Sequence, residues 1–117
     1  MTQVHILNLP FPPSTNSIWS RTKTGMRKSD RYTDWLTKAG WEARQQAKGR
    51  VEGSYGLVVK AVRPDRRRRD LDNILKSLLD ALQHSGLIED DSNVVDLRIV
   101  RREIIKGGAV NVEIRQA

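Results

Sequence analysis

The chain has 117 residues, with 21 Lys and Arg against 14 Asp and Glu, a formal net charge of +7 and no cysteine. That length suits one domain, and the missing cysteine excludes a disulfide scaffold, a thiolate metal site, an iron–sulfur cluster and a cysteine nucleophile. Apolar runs long enough to span a bilayer are absent, and the N-terminus has no basic segment leading into an apolar one, so a soluble cytoplasmic protein is expected.

Val4 to Leu9 is a short apolar run stopped by Pro10, Pro12 and Pro13, which predicts a strand with a fixed exit. Residues 14–29 carry no periodicity, mostly small polar residues among Arg21, Lys23, Arg27 and Lys28, and a basic mobile loop is expected there. Ser29 or Asp30 can cap a helix reaching about Lys48, because Tyr32, Trp35, Leu36, Ala39, Ala43 and Ala47 keep the helical period. Trp41 falls on its opposite, basic face. After a turn bracketed by Gly49 and Gly53, the near-continuous apolar run from Tyr55 to Arg63 predicts a strand buried on both faces, at the sheet centre. Leu71, Ile74, Leu75, Leu78, Leu79 and Leu82 then define an amphipathic helix from Asp70 to His84, with Gly86 as its stop. Val94 to Glu103 and Ala109 to Arg115 are expected as strands of a hairpin turning at Lys106-Gly107-Gly108. The order β-α-β-α-β-β gives one small α+β domain over residues 1–117, with two helices against a mixed sheet.

Charge is unevenly spread. Residues 1–60 hold ten Lys and Arg against four acids, whereas eight of the fourteen acids lie between Asp65 and Asp96. A basic chain with one acidic region suggests a polyanion held beside a cation. Asp70 opens the second predicted helix, Asp72 and Lys76 stand four residues apart on its polar face with Asn73 nearby, and Asp90 and Asp91 follow in the next loop. A short return of that loop would gather these carboxylates near the helix N-terminus, where their repulsion calls for a hard divalent cation, Mg²⁺ or Mn²⁺. Such an ion activates water at a phosphodiester, and Lys76 is suited to neutralising developing charge. Arg66, Arg67, Arg68 and Arg69 precede the helix as a phosphate grip. Structural readings stand beside these: Asp70 as an N-cap, Asp72 and Lys76 as a surface pair, Asp90 and Asp91 as solvated loop residues, and the arginines as a solvated edge neutralised by Asp65.

The block Asp65-Arg66-Arg67-Arg68-Arg69-Asp70-Leu71-Asp72-Asn73, with Lys76 and Glu89-Asp90-Asp91-Ser92-Asn93-Val94-Val95-Asp96, resembles the RusA family of Holliday-junction resolvases. So do the opening Leu9-Pro10-Phe11-Pro12-Pro13-Ser14-Thr15-Asn16 and the Lys106-Gly107-Gly108 turn. The resemblance implies a two-fold homodimeric, Mg²⁺-dependent endonuclease, bacterial or phage-encoded, that nicks four-way junctions in symmetrically related strands during recombination and repair. It further implies Asp70, Asp72 and Asp91 as the essential metal-binding carboxylates and Lys76 as the catalytic lysine. Asn73 and Asp90 fall in supporting positions, while Arg66 to Arg69 with Arg21, Lys23, Arg27 and Lys28 make the DNA-binding set. Two rivals remain at this point: a non-catalytic nucleic-acid-binding module, and a metal nuclease acting on other branched DNA.

Overall fold

The computed structural model describes residues 3–13, 19–22 and 25–117, with the side chains of residues 19–22 and of Arg27 outside the description. Its strands are Val4–Leu9 (β1), Trp19–Thr22 (β2), Gly25–Lys28 (β3), Tyr55–Arg63 (β4), Val94–Ile104 (β5) and Ala109–Gln116 (β6); its helices are Asp30–Gln46 (α1) and Leu71–His84 (α2). Four strands form one mixed sheet in the order β1-β6-β4-β5, and β2 pairs with β3 apart from it.

Alternation along β4 decides the core. Tyr55, Leu57, Val59 and Ala61 are buried together with Leu7 and Leu9 of β1, Val110, Val112 and Ile114 of β6, and Ile74, Leu78 and Leu82 of α2. Burial is two-sided, as the apolar run suggested, only at Ala61 and Val62; earlier in the strand the second face is more open, with Val58 half-buried and Lys60 exposed. Both helices contribute to the cluster on the same face, which leaves the other face open. Ser29 caps α1, its hydroxyl accepting from the Tyr32 N–H at 3.2 Å, and Trp41 stands 64% exposed, as the helical spacing requires. Gln46 covers the free edge of β1: its side-chain amide donates to the Asn8 carbonyl at 2.9 Å and accepts from the Asn8 N–H at 2.6 Å. That edge is therefore closed to further strands.

β4 and β5 pair in parallel, so α2 is a crossover helix that starts beyond the C-terminal end of β4 and returns beside its N-terminal end. The turn at 106–108 does not make the expected hairpin. β5 and β6 lie on opposite sides of β4, and the connection passes over that strand's end. β4 is the most apolar strand and satisfies its backbone groups on both edges only by taking both neighbours. Gly108 makes the crossing possible: it has φ +65°, and an added Cβ would lie 2.9 Å from both the Pro64 nitrogen and the Val62 oxygen.

The segment expected as a basic mobile loop contains the β2–β3 hairpin, with Trp19 opposite Lys28 and Thr22 opposite Gly25. Four-residue strands are too short to show a period among polar residues. The signals present were the β-favouring Trp19 and Thr22 and a glycine at the turn, Gly25, whose φ is +141°.

His5 is buried in β1, where Nδ1 accepts from the Lys48 N–H at 3.1 Å and Nε2 has no partner among the described residues. Burial, and secondarily the Lys48 charge, hold its pKa below 6.5. The neutral form is thus favoured in the folded chain. Its contribution to stability is complete above the unfolded value near 6.5 and is lost as pH falls through the lower folded value. We expect the melting temperature of the parent to decline as pH falls below about 6.5. His5→Asn should melt lower at neutral pH with a flatter dependence over that window. An equally steep decline in the variant would assign the acid sensitivity to other groups.

Candidate active site

The turn from β4 into α2 is organised by Asp65. One carboxylate oxygen accepts from the Arg67 N–H at 2.9 Å and from Arg69 Nη1 at 2.7 Å. The Arg69 hydrogen bond, followed by that from the Arg67 backbone, lowers the Asp65 pKa to about 2. Arg69 lies 5.3 Å from the centre of the Phe11 ring and also donates to the Arg67 carbonyl, while its own carbonyl accepts from Arg101 Nη2 at 3.0 Å. The run of four arginines is thereby divided. Arg66, Arg67 and Arg68 face solvent, and Arg69 is a structural clasp with its side chain 16% exposed. Sequence reasoning missed Phe11 and Arg101 as its partners; an aromatic residue and an arginine far along the chain carry no local pattern that links them to the turn.

Asp70 occupies the N-cap position of α2, yet its side chain caps nothing; the only hydrogen bond found for it among the described residues is a 3.5 Å donation from Asn73 Nδ2. Asp72 and Lys76 are both exposed one turn further on, and they form no ion pair with each other. The capping and surface-pair readings therefore do not account for these residues. Carboxylate oxygens are left free on the exposed side of a helix start.

At the other end of α2 the chain makes a 3₁₀ turn, Asp91–Asn93. The Tyr55 hydroxyl holds this turn by donating to the Asp90 carbonyl at 3.1 Å, and the Asp91 N–H donates to Gln83 Oε1 at 3.3 Å. Asp90 accepts from the Ser92 N–H at 2.9 Å, which lowers its pKa. Asp91 moves the other way: its hydrogen bond with Asp90 leads, reinforced by desolvation and by the charges of Asp90 and Asp80. Burial first, then the charges of Asp91 and Asp90, push the Tyr55 hydroxyl up to about 12. Asp80 itself accepts from the Tyr32 hydroxyl at 2.8 Å across the α1–α2 contact.

The expected convergence of carboxylates does not occur within one chain. Asp91 is bonded to Gln83, thirteen residues along from Asp70, and a helix rise of about 1.5 Å per residue separates those two levels by roughly 20 Å. Parallel crossover geometry is the reason, since the helix must carry the chain back along the full strand before β5 begins. Among the described residues no three acidic or histidine side chains come together as a metal-binding group. A carboxylate oxygen must lie within about 2.5 Å of a hard cation to bind it, so Asp70, Asp72 and Asp91 of a single chain cannot share one ion. Each end supplies a partial set.

Of the basic residues near the N-terminus, Lys23 and the side chains of Arg21 and Arg27 lie outside the described residues. Lys28 is exposed, with its ammonium 5.7 Å from the centre of the Tyr32 ring. No helix among the described residues is long and apolar enough to cross a membrane.

A small α+β domain that sets exposed arginines beside uncapped, unpaired carboxylates has the surface of a protein that handles polyanions. The family model described as Endodeoxyribonuclease RusA matches residues 10–115. The chain is 38% identical over 110 residues to a protein of Enterobacteria phage HK97 named crossover junction endodeoxyribonuclease rusA, covering 92% of this chain and 91% of that one. Similarly named proteins of Aquifex aeolicus, strain VF5, and Escherichia coli, strain K12, are each 34% identical, covering 86% and 94% of this chain and 79% and 92% of their own lengths. The chain belongs to the RusA family of endodeoxyribonucleases.

Proposed function

We propose that the protein resolves four-way DNA junctions as a two-fold homodimer that nicks symmetrically related strands with the help of a divalent cation. The observation that carries this reading is the division of the carboxylates, with Asp70 and Asp72 uncapped and unpaired at one end of α2 and Asp90 and Asp91 crowded at the other. Two chains related by a two-fold axis can set Asp70 and Asp72 of one against Asp91 of its partner, and the same operation builds a second, equivalent site. Two such sites match the approximate two-fold symmetry of a junction. The names of the relatives, all crossover junction endodeoxyribonucleases, support this substrate.

Mg²⁺, with Mn²⁺ as a substitute, suits a set made only of oxygen donors. When bound, such an ion supplies water activation and charge neutralisation at a phosphodiester. The chain's own residues do the rest. Lys76, one turn beyond Asp72, offers an ammonium to a phosphate oxygen as charge develops, and Asn73 steadies the Asp70 carboxylate. Asp90 stands next to Asp91 and adds a second carboxylate to the far end. Arg66, Arg67 and Arg68, with Lys28 and the basic residues around the β2–β3 hairpin, hold the strand's phosphates. Relatives in a phage and in bacteria support a phage- or bacterially encoded protein acting in the cytoplasm during recombination and repair.

The test is a strand-resolved nicking assay on an immobile four-way junction beside a linear duplex of the same sequence, with Mg²⁺ and with EDTA. Paired, Mg²⁺-dependent nicks confined to the junction are expected. Equal cutting of the duplex would remove the junction from the reading, and junction binding with no cut under any condition would leave a binding module.

A further inference from the structure

A cleft of about 520 Å³ opens between the proline-rich exit from β1, the start of α1 and the turn from β4 into α2. We propose that it receives one nucleotide of the junction strand turned out of the base stack, its base against the aromatic floor and its phosphate at the arginines of the mouth. The inference rests on the junction reading and adds how a branched substrate is told from a linear one.

The lining is graded from apolar to cationic. Trp35 of α1 is buried and Phe11 half-buried, whereas Arg31 and Arg67 stand exposed, so the rings lie deep and the cations lie at the opening. Both rings are held before any ligand arrives. The Trp35 indole N–H donates to the Pro10 carbonyl at 3.1 Å, and the Arg69 guanidinium lies 5.3 Å from the centre of Phe11. Pro12, Pro13 and Pro64 form walls whose backbone is stiffened by their own rings. A preformed cavity of this size is in the range of sites that hold one small ligand, and little ordering is left for the ligand to impose.

Charge and shape together select the ligand. Three arginines line the cleft against a single acid, and that acid is engaged: one Asp65 oxygen accepts from the Arg67 N–H and from Arg69, and the other lies 3.9 Å from Arg67 Nε. The Arg31 side chain has no hydrogen bond or ion pair among the described residues. An anion is therefore wanted at the mouth and a flat, weakly polar body on the rings, and a nucleotide supplies both. Arg69 directly precedes Asp70, so the cleft adjoins the free carboxylates at the start of α2. A base that remains paired and stacked cannot enter. Turning a nucleotide out of intact duplex breaks its pairing and stacking, and the cost is lowest where the stack is already interrupted, as at the point of strand exchange. The cleft thus favours branched over linear DNA, and Arg31, absent from the phosphate grip read in the sequence, becomes a residue that sets this preference.

The test compares affinities, in EDTA so that nothing is cut, for a fully paired duplex, the same duplex with one unpaired nucleotide, and the same bulge lacking its base. The parent should bind the bulge about tenfold more tightly than the paired duplex, and removing the base from the bulge should abolish most of that gain. The base-free bulge separates capture of a base from recognition of a bend. Arg31→Gln should lose the preference for the bulge while keeping the parent's circular dichroism and, within about twofold, its affinity for paired duplex. Arg31→Lys should recover most of the preference. Equal affinity for bulged and paired duplex, full affinity for the base-free bulge, or an undiminished preference in folded Arg31→Gln would each overturn the proposal, as would micromolar binding of a free nucleoside monophosphate without any preference for the bulge. Junction cutting by the parent in Mg²⁺ is scored separately. A protein that captures the nucleotide and cuts nothing refutes the junction-resolving reading, and one that cuts junctions with no preference for the bulge refutes the cleft.

Discussion

Asp72→Asn and Asp91→Asn proteins, each unable to cut a junction alone, should regain cutting when mixed and allowed to exchange subunits. Removing either carboxylate withdraws an anionic oxygen from the cation's set, and a cation's contribution of several kcal/mol to the transition state corresponds to roughly a 10³-fold fall in rate. If the two acids act from different chains, a mixed dimer holds one site with both substitutions and one with neither. Random exchange makes about half the dimers mixed, and each has one intact site of two, so about a quarter of the parental sites should work. The product has a signature of its own: unpaired nicks in place of symmetric pairs. A mixture as inactive as its components, shown by mass spectrometry to have exchanged, would return all three carboxylates to one chain and require α2 to rearrange. The prediction follows from one structural fact, that Asp91 is bonded to Gln83 at the end of α2 remote from Asp70.

The second large effect concerns the arginines, which the sequence presents as four equals and the fold divides. Replacing Arg66, Arg67 and Arg68 by Gln removes three exposed cations and should make the dependence of log affinity on log salt shallower by about 2 to 3. Melting temperature should barely change. Arg69→Gln should do the reverse. It breaks the 2.7 Å bond to Asp65 and the stacking on Phe11, so it should lower the melting temperature while changing the salt slope by less than about 1. Isothermal binding to an unlabelled junction at 50 to 200 mM salt, alongside thermal melts, separates the two. An unchanged slope in the triple variant would put the phosphate grip elsewhere, with the β2–β3 hairpin as the next place to look.

Much of this architecture was legible in the residues because strong periodicity is a local property. The leucines of α2 marked a helix and the near-continuous apolar run of β4 marked a strand, and the block from Asp65 to Asn73, with Lys76 and Glu89 to Asp96, carried most of the family resemblance. The β2–β3 hairpin was missed because four-residue polar strands leave no period to read. The expected β5–β6 hairpin failed for a different reason. A short glycine turn says that the chain reverses, and not which strand it skips; Gly108 crosses over β4 because that strand needs partners on both edges.

By itself the sequence determined that this is a basic, cysteine-free α+β domain of the RusA family, and it supplied the acids, lysine and arginines on which the proposed chemistry draws. These follow from residue type, spacing and the family resemblance, which survive without a third dimension. Only the tertiary structure decided how they are distributed: Arg69 withdrawn into a clasp, Asp70 left uncapped, Asp91 carried roughly 20 Å away by the parallel crossover, β1 closed by Gln46 and β5 left open. The direction of a crossover and the covering of an edge are set by contacts between residues far apart in the chain, and no local pattern records them.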